Sequence, residues 1–276
     1  MNTGKYTKLE IFARALHAEG SVRVISGGGE CRKFPGGKAY YKWIKVPVEK
    51  NTEYEIVCEE CQVSICYLSD CENLLEEGVC YLEQDEDGRF IKKEEKDWYD
   101  SPIREAYHFT PWKTWINDPN GLCWFQGYYH MFYQFNPHGQ KWSHMYWGHA
   151  ASKDLIHWTH LPVVLEPQEE ILDRPGELSG GAFSGSAVVQ EDEVIFYLTR
   201  SMGPPVDGEQ TRQQQWMMKS GDMLHFTEEK LVIAGGPAGA SYDFRDPKVM
   251  RADGKWYMVL GSALNEKAAI LLYESE

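Results

Sequence analysis

Asp118-Pro119-Asn120-Gly121-Leu122-Cys123-Trp124-Phe125-Gln126-Gly127-Tyr128-Tyr129-His130-Met131-Phe132-Tyr133 reads as a strand that starts at an acidic residue, turns, and returns as an aromatic strand. Two later stretches share its plan. Ser184-Gly185-Ser186-Ala187-Val188-Val189 turns at Glu191-Asp192-Glu193 and returns as Val194-Ile195-Phe196-Tyr197-Leu198. Asp246-Pro247-Lys248-Val249-Met250 turns at Asp253-Gly254 and returns as Lys255-Trp256-Tyr257-Met258-Val259-Leu260. The three starts lie 66 and 62 residues apart, and this near-constant period predicts a β-propeller with one four-stranded blade per repeat. The first strand of each blade begins near the central axis. Asp118, Ser184 and Asp246 are therefore expected to converge at one mouth of the channel.

Working outward, residues 1–100 have a different texture. Tyr40–Val46 and Glu53–Cys58 alternate with period two between polar and Gly-rich turns, which predicts a small antiparallel, sandwich-like β-domain. The Gly27-Gly28-Gly29 run has no strand–helix frame and is not read as a nucleotide loop. Residues 83–105 are dense in charge and lose the apolar pattern, so they are expected to be a solvated connector. The chain is thus predicted to be all-β: an accessory domain over 1–100 with its acidic connector, then a partial propeller over 101–276.

Composition narrows the partners. The formal net charge is −14, which disfavours nucleic acid and anionic membranes. No apolar run approaches the ~18 residues of a membrane span. The first twenty residues carry early lysines but no continuous apolar segment, which predicts a cytoplasmic protein. Six of the seven cysteines lie between Cys31 and Cys80, including a Cys58-x-x-Cys61 pair. Their spacing is not that of a usual zinc site, and Cys58 continues an apolar strand face, so neither zinc nor disulfides are expected. His144, His149, His157 and His160 fit no standard metal spacing either. No cofactor and no metal are predicted.

Asp118 is a reasonable nucleophile on local grounds. Pro119 favours an extended Asp118, and Asn120-Gly121 is expected to form a tight turn at the strand's start. Taken alone, Asn117–Gly121 reads first as an ordinary turn. The surrounding blocks change that balance. Trp115-Ile116-Asn117-Asp118-Pro119-Asn120-Gly121 closely resembles the signature of glycoside hydrolase family 32, the invertase, levanase and inulinase family. Tyr107–Pro111, Tyr133–Pro137, Trp147–Ala150, Ser152–Trp158, Phe183–Ala187 and Phe244–Lys248 match further blocks in the family's order.

The resemblance implies roles. Asp118 would be the nucleophile that forms a fructosyl-enzyme, and Asp246 the transition-state stabiliser. Arg245 would orient that carboxylate or the sugar. Asn117, Gln134, Trp142, Phe183 and Ser184 would line the fructose pocket. The implied substrate is a small sugar such as sucrose, sucrose 6-phosphate or a short fructan. The family's propeller has five blades, of which about three would fit here. Its proton donor is a Glu in a Glu-Cys pair, and no Glu-Cys follows residue 246. The acid/base is therefore expected outside this sequence, on a complementing C-terminal portion. The family's acidic residue before the Gly-aromatic-Ser run has Glu177 as its nearest counterpart. A fructoside-binding protein, half of a split enzyme, and an enzyme acting on arabinose polymers are the alternatives.

Overall fold

The computed structural model describes residues 1–35, 40–94, 96–105, 107–172, 180–203 and 213–275. The chain divides into two units, one of Met1–Thr114 with Thr159–Pro162, the other of Trp115–Trp158 with Val163–Glu276.

In the first unit the strands are β1 (Lys8–Ala15), β2 (Ser21–Ser26), β3 (Cys31–Pro35), β4 (Lys42–Pro47), β5 (Tyr54–Glu59), β6 (Cys61–Ser69), β7 (Cys80–Gln84) and β8 (Phe90–Lys92). They form a five-stranded sheet, β4-β1-β6-β7-β8, and a three-stranded sheet, β3-β2-β5. Strand β1 is covered on both faces. Successive side chains point to opposite sides, and Leu9 and Ile11 on one side and Phe12 on the other are all fully buried. Phe12 stacks on Tyr41 at 5.2 Å and tilts against Trp43 at 4.7 Å.

The charged stretch 83–105 is not merely a solvated connector. Phe90–Lys92 pair with β7, and Phe90 is buried. Asp85 makes this hairpin: its Oδ1 accepts hydrogen bonds from the N–H groups of Asp87 and Arg89. An acidic residue here closes a turn, which charge density alone conceals.

The second unit contains β9 (Trp115–Phe125), β10 (Tyr128–Asn136), β11 (Tyr146–Ser152), β12 (Trp158–Leu165), β13 (Gly181–Gln190), β14 (Glu193–Ser201), β15 (Gln213–Ser220), β16 (Lys230–Ile233), β17 (Ala240–Ala252), β18 (Lys255–Leu264) and β19 (Lys267–Ser275). The sheets are β9–β12, β13–β16 and β17–β19, each in sequence order. They are three successive propeller blades. The first strands β9, β13 and β17 lie side by side, each against the next.

Apolar seams join the blades. Phe125, Phe132 and Trp147 of the first blade pack with Val194, Phe196, Leu198 and Met218 of the second. Phe244, Val249, Met258 and Leu260 of the third meet Val188 and Tyr197 of the second. Asn120-Gly121 does not form the expected turn. It lies inside β9, where the pairing with β10 shifts register between His130 and Phe132. Gly121 sits at φ 53°, and a Cβ there would lie 3.0 Å from Phe132. Glycine is required by that approach, and the strand runs through it with a local irregularity.

One repeat escapes the sequence reading. Ser152–His157 and Ser220–His225 share the pattern Ser-x-Asp-x-x-His. In both, the serine Oγ accepts the N–H of the third residue on, and the aspartate Oδ1 accepts two further N–H groups. In both, the aspartate Oδ2 meets the histidine Nδ1 at 2.7 Å. These are equivalent corners after the third strand of a blade, and His157 belongs to one of them.

No helix among the described residues is long and apolar enough to cross a membrane. All seven cysteines are free, and burial pushes the Cys58 thiol up to about 11 and Cys123 up to about 12.

His130 Nδ1 and His149 Nε2 lie 3.1 Å apart in the interior of the first blade. Burial pushes the His130 pKa down to about 4, and burial together with His130 holds His149 well below the ordinary range. The unfolded chain binds these protons near pH 6.5, whereas the folded chain resists them. Stability from this pair is thus complete above about pH 6.5 and declines as pH falls toward 4. The thermal unfolding midpoint, followed by scanning fluorimetry, is expected to drop across that window. A midpoint level from pH 7 to 4.5 would contradict a neutral buried pair.

Candidate active site

The starts of β9, β13 and β17 meet at one end of the second unit, and the side chains there surround a pocket of about 390 Å³. Asn117, Asp118, Gln134, Trp142, Phe183, Ser184, Arg245 and Asp246 all line it. So do Gln213, Tyr242 and Asp243, which the sequence reading did not single out. A larger cleft of about 590 Å³ runs beside the β13–β14 turn, lined by residues such as Glu191, Lys219 and His225. It contains none of the predicted residues, and its Lys219 ammonium is paired with Glu193 at 2.5 Å.

Each wall has a local cause. Asp118 is solvent-facing, and its Oδ2 accepts a hydrogen bond of 2.7 Å from the Ser184 hydroxyl. That bond spans two blades and limits the rotation of the carboxylate. The Asn117 Oδ1 accepts from the Trp115 indole at 2.9 Å, which orients the amide beside Asp118. Gln134 is buried and its Nε2 donates to the Ala182 carbonyl at 2.8 Å. One edge of that amide is therefore structural, tying β10 to the start of β13. The Trp147 indole similarly donates to the Phe183 carbonyl at 3.1 Å.

Trp142 keeps 47% of its surface exposed, with its ring 6.0 Å from that of Phe183. Two aromatic faces left open to a polar pocket suit a ring ligand that is apolar on one side and hydroxylated on the other.

The far wall is charged. Arg245 pairs with Asp243 through Nη1, and its Nε lies 3.8 Å from Asp246 Oδ2. The protein around Asp246 displaces solvent and raises its pKa. Arg245 pulls it back, and the charges of Asp118 and Asp243 push it up again. Its side chain still keeps 56% of its surface, so this desolvation comes from crowded walls rather than full burial. Three carboxylates and one guanidinium thus share a small space. Such a set can place one carboxylate as a nucleophile and another against ring hydroxyls.

Asp243 stands on β17 two residues before Arg245 and three before Asp246, and nothing local marks it as a pocket residue. Gln213 and Gln215 are alternate residues of β15 and both fully buried, which the sequence alone does not reveal. Glu177 lies outside the described residues. Glu274 sits on β19 opposite Tyr257, away from the pocket, and accepts from Lys255 Nζ at 2.6 Å. Among the described residues no three of His, Cys, Asp and Glu gather as a metal site would need.

The model for the glycosyl hydrolases family 32 N-terminal domain matches residues 108–276. A sucrose-6-phosphate hydrolase of Zymomonas mobilis is 37% identical over 185 residues, covering 65% of this chain and 34% of that protein. A levanase of Bacillus subtilis is 38% identical over 191 residues, covering 66% of this chain and 26% of that protein. This chain therefore spans only about a quarter to a third of these relatives' lengths. A solved family 32 glycoside hydrolase from Bifidobacterium adolescentis is 34% identical with a TM-score of 0.81. That match covers 96% of this chain and 45% of that one.

A hydrogen bond to a carboxylate is typically worth about 1.5–3 kcal/mol, less where water can replace it. Ser184→Ala is expected to lower kcat/KM of the pocket's substrate roughly tenfold, with little change in thermal midpoint. Unchanged kcat/KM would show that Asp118 needs no support from Ser184.

Proposed function

The chain belongs to glycosyl hydrolase family 32, and from that premise we propose that it carries the fructose-binding and nucleophilic part of a retaining β-fructofuranosidase. The observation that supports this most is the arrangement of Asp118, held by Ser184, across the pocket from Asp246 and Arg245. In this reading the Asp118 carboxylate attacks the anomeric carbon of a terminal β-fructofuranosyl unit. The carbon–oxygen bond to the leaving sugar breaks, and that oxygen takes a proton. Water then attacks the fructosyl–Asp118 ester and releases fructose, returning the carboxylate.

Asp246 accepts hydrogen bonds from ring hydroxyls, and these strengthen as positive charge develops on the ring. Arg245 holds Asp246 in place while Asp243 occupies the other side of the guanidinium. Trp142 and Phe183 offer faces to the ring, with Asn117 and Gln134 as polar contacts beneath. Relatives named as sucrose-6-phosphate hydrolase, levanase and acid β-fructofuranosidase frame the substrate class as sucrose, its 6-phosphate or fructans.

The proton donor for the leaving group is not among Asp118, Asp243 and Asp246 in this reading. It is supplied by a complementing C-terminal portion that completes the propeller. Without such a group a reaction of this kind typically slows 10²–10⁴-fold. Residues 1–276 alone are therefore expected to bind fructose but turn sucrose over very slowly. A fructoside binder or half of a split enzyme is the second reading, since the same pocket could hold a fructose ring without turning it over.

Fructose release from sucrose, sucrose 6-phosphate and levan by the full-length protein tests the proposal. Asp118→Asn is expected to cut kcat on the order of 10⁴-fold or more, as loss of a covalent nucleophile does. Fructose binding by calorimetry without any release, in the full-length protein, would replace the hydrolase with the binder. Neither binding nor release would remove both.

A further inference from the structure

We infer that Thr199, Gln215, Gln213 and Ser186 of the second blade are positioning residues that fix the backbone of Asp246 and thereby aim its carboxylate. The inference rests on the reading of Asp246 as a residue that faces the sugar.

Asp246 sits at φ 64°, in the left-handed region. Few L-residues adopt that conformation, and the following Pro247 further restricts Asp246. Such a residue persists only where its surroundings over-determine it. The sheet does not do so here. Pairing between β17 and β18 shifts register between Arg245 and Lys248, so Asp246 and Pro247 fall out of the ladder.

Side chains from the neighbouring blade take the ladder's place. The Asp246 N–H donates to Thr199 Oγ1 at 3.1 Å, and the Thr199 hydroxyl donates onward to Gln215 Oε1 at 2.7 Å. Gln215 Nε2 donates to the Phe244 carbonyl at 2.8 Å, while the Phe244 N–H donates to Gln213 Oε1 at 2.8 Å. On the other side of the turn, the Ser186 hydroxyl donates to the Pro247 carbonyl at 2.7 Å and accepts the Val249 N–H at 3.1 Å. The backbone is thus gripped at 244, 246, 247 and 249. Thr199, Gln213 and Gln215 have no exposed surface, and Ser186 has 7%.

Burial gives this grip its specificity. In a low-dielectric interior an unpaired donor or acceptor is costly, so the network holds one arrangement and resists slippage. A valine at 199 has the volume of threonine but no Oγ1. It would leave the Asp246 N–H and Gln215 Oε1 without these partners. Asp246 would then be free to leave φ 64° and carry its carboxylate off the pocket wall. Thr199, Gln215 and Ser186 lie outside the residues that line the pocket, so loss of the Thr199 hydroxyl should register in the transition state more than in ground-state binding.

The test uses the full-length protein with Thr199→Val, Thr199→Ser and, as a stability-matched control in the same strand, Val194→Ala. Val194 is fully buried in the apolar seam and outside the clamp. Thr199→Val is expected to lower kcat for fructose release at least roughly tenfold with a smaller change in KM. Thr199→Ser should restore kcat to within about threefold of wild type, and Val194→Ala should lower the thermal midpoint while leaving kcat within about twofold. Equal kcat losses in Thr199→Val and Val194→Ala would overturn the inference. If the wild-type protein releases no fructose, the proposed function fails separately, and a crystal structure of Thr199→Val still decides the clamp. Asp246 found away from the left-handed region supports it, and Asp246 unmoved overturns it.

Discussion

Phe132 occupies the seam between the first two blades, stacked on the His149 ring at 4.1 Å and edge-on to Phe196 at 5.0 Å. The innermost strand can reach this seam because residue 121 has no side chain. A Cβ on Gly121 would lie 3.0 Å from Phe132 and 3.1 Å from Phe196. The close approach of β9 to two buried rings sets how the strand carrying Asp118 enters the channel. A second seam, around Phe244 and Val249, does the same for the strand carrying Asp246. Aromatic and aliphatic burial supplies most of the attraction between blades, since most ladder hydrogen bonds are made within each blade's own sheet.

Above these apolar seams lies a layer of polar side chains that cross from blade to blade. Gln134 reaches the Ala182 carbonyl, Trp147 the Phe183 carbonyl, Ser184 the Asp118 carboxylate, and Ser186 the Pro247 carbonyl. The arrangement repeats: the start of one inner strand is secured by side chains from a neighbouring blade. Seams hold the blades together without strong directional preference, whereas these bonds set direction. Chemistry at the pocket depends on the second kind, because a carboxylate misaimed by an ångström loses much of its effect on a transition state.

The charge pattern in the pocket follows from the same closeness. Asp118, Asp243 and Asp246 all project into a space of about 390 Å³, with Arg245 between two of them. Desolvation by the surrounding walls raises the pKa of Asp246, Arg245 lowers it, and the like charges of Asp118 and Asp243 raise it further. An arrangement that is uncomfortable in the absence of ligand is a common mark of a site built to meet developing positive charge.

The repeating hairpins and the Trp115–Gly121 block determined the all-β class, the blade order and the set of residues at the channel mouth. Those features are legible because strand periodicity and small or acidic strand starts are local properties of the chain. Asn120-Gly121 looked like a turn because its local propensity is that of a turn, and only the rings of Phe132 and Phe196 make it the point where β9 presses against the seam. Residues 83–105 looked solvated because charge density hides the buried Phe90 and a carboxylate that closes a hairpin. Asp243 and the Gln213–Gln215 pair were passed over because nothing local distinguishes a polar residue aimed at solvent from one aimed at another blade. The tertiary structure decided which polar groups meet, for hydrogen-bond partners 29 to 66 residues apart in sequence are chosen by how the blades pack and not by any neighbour along the chain.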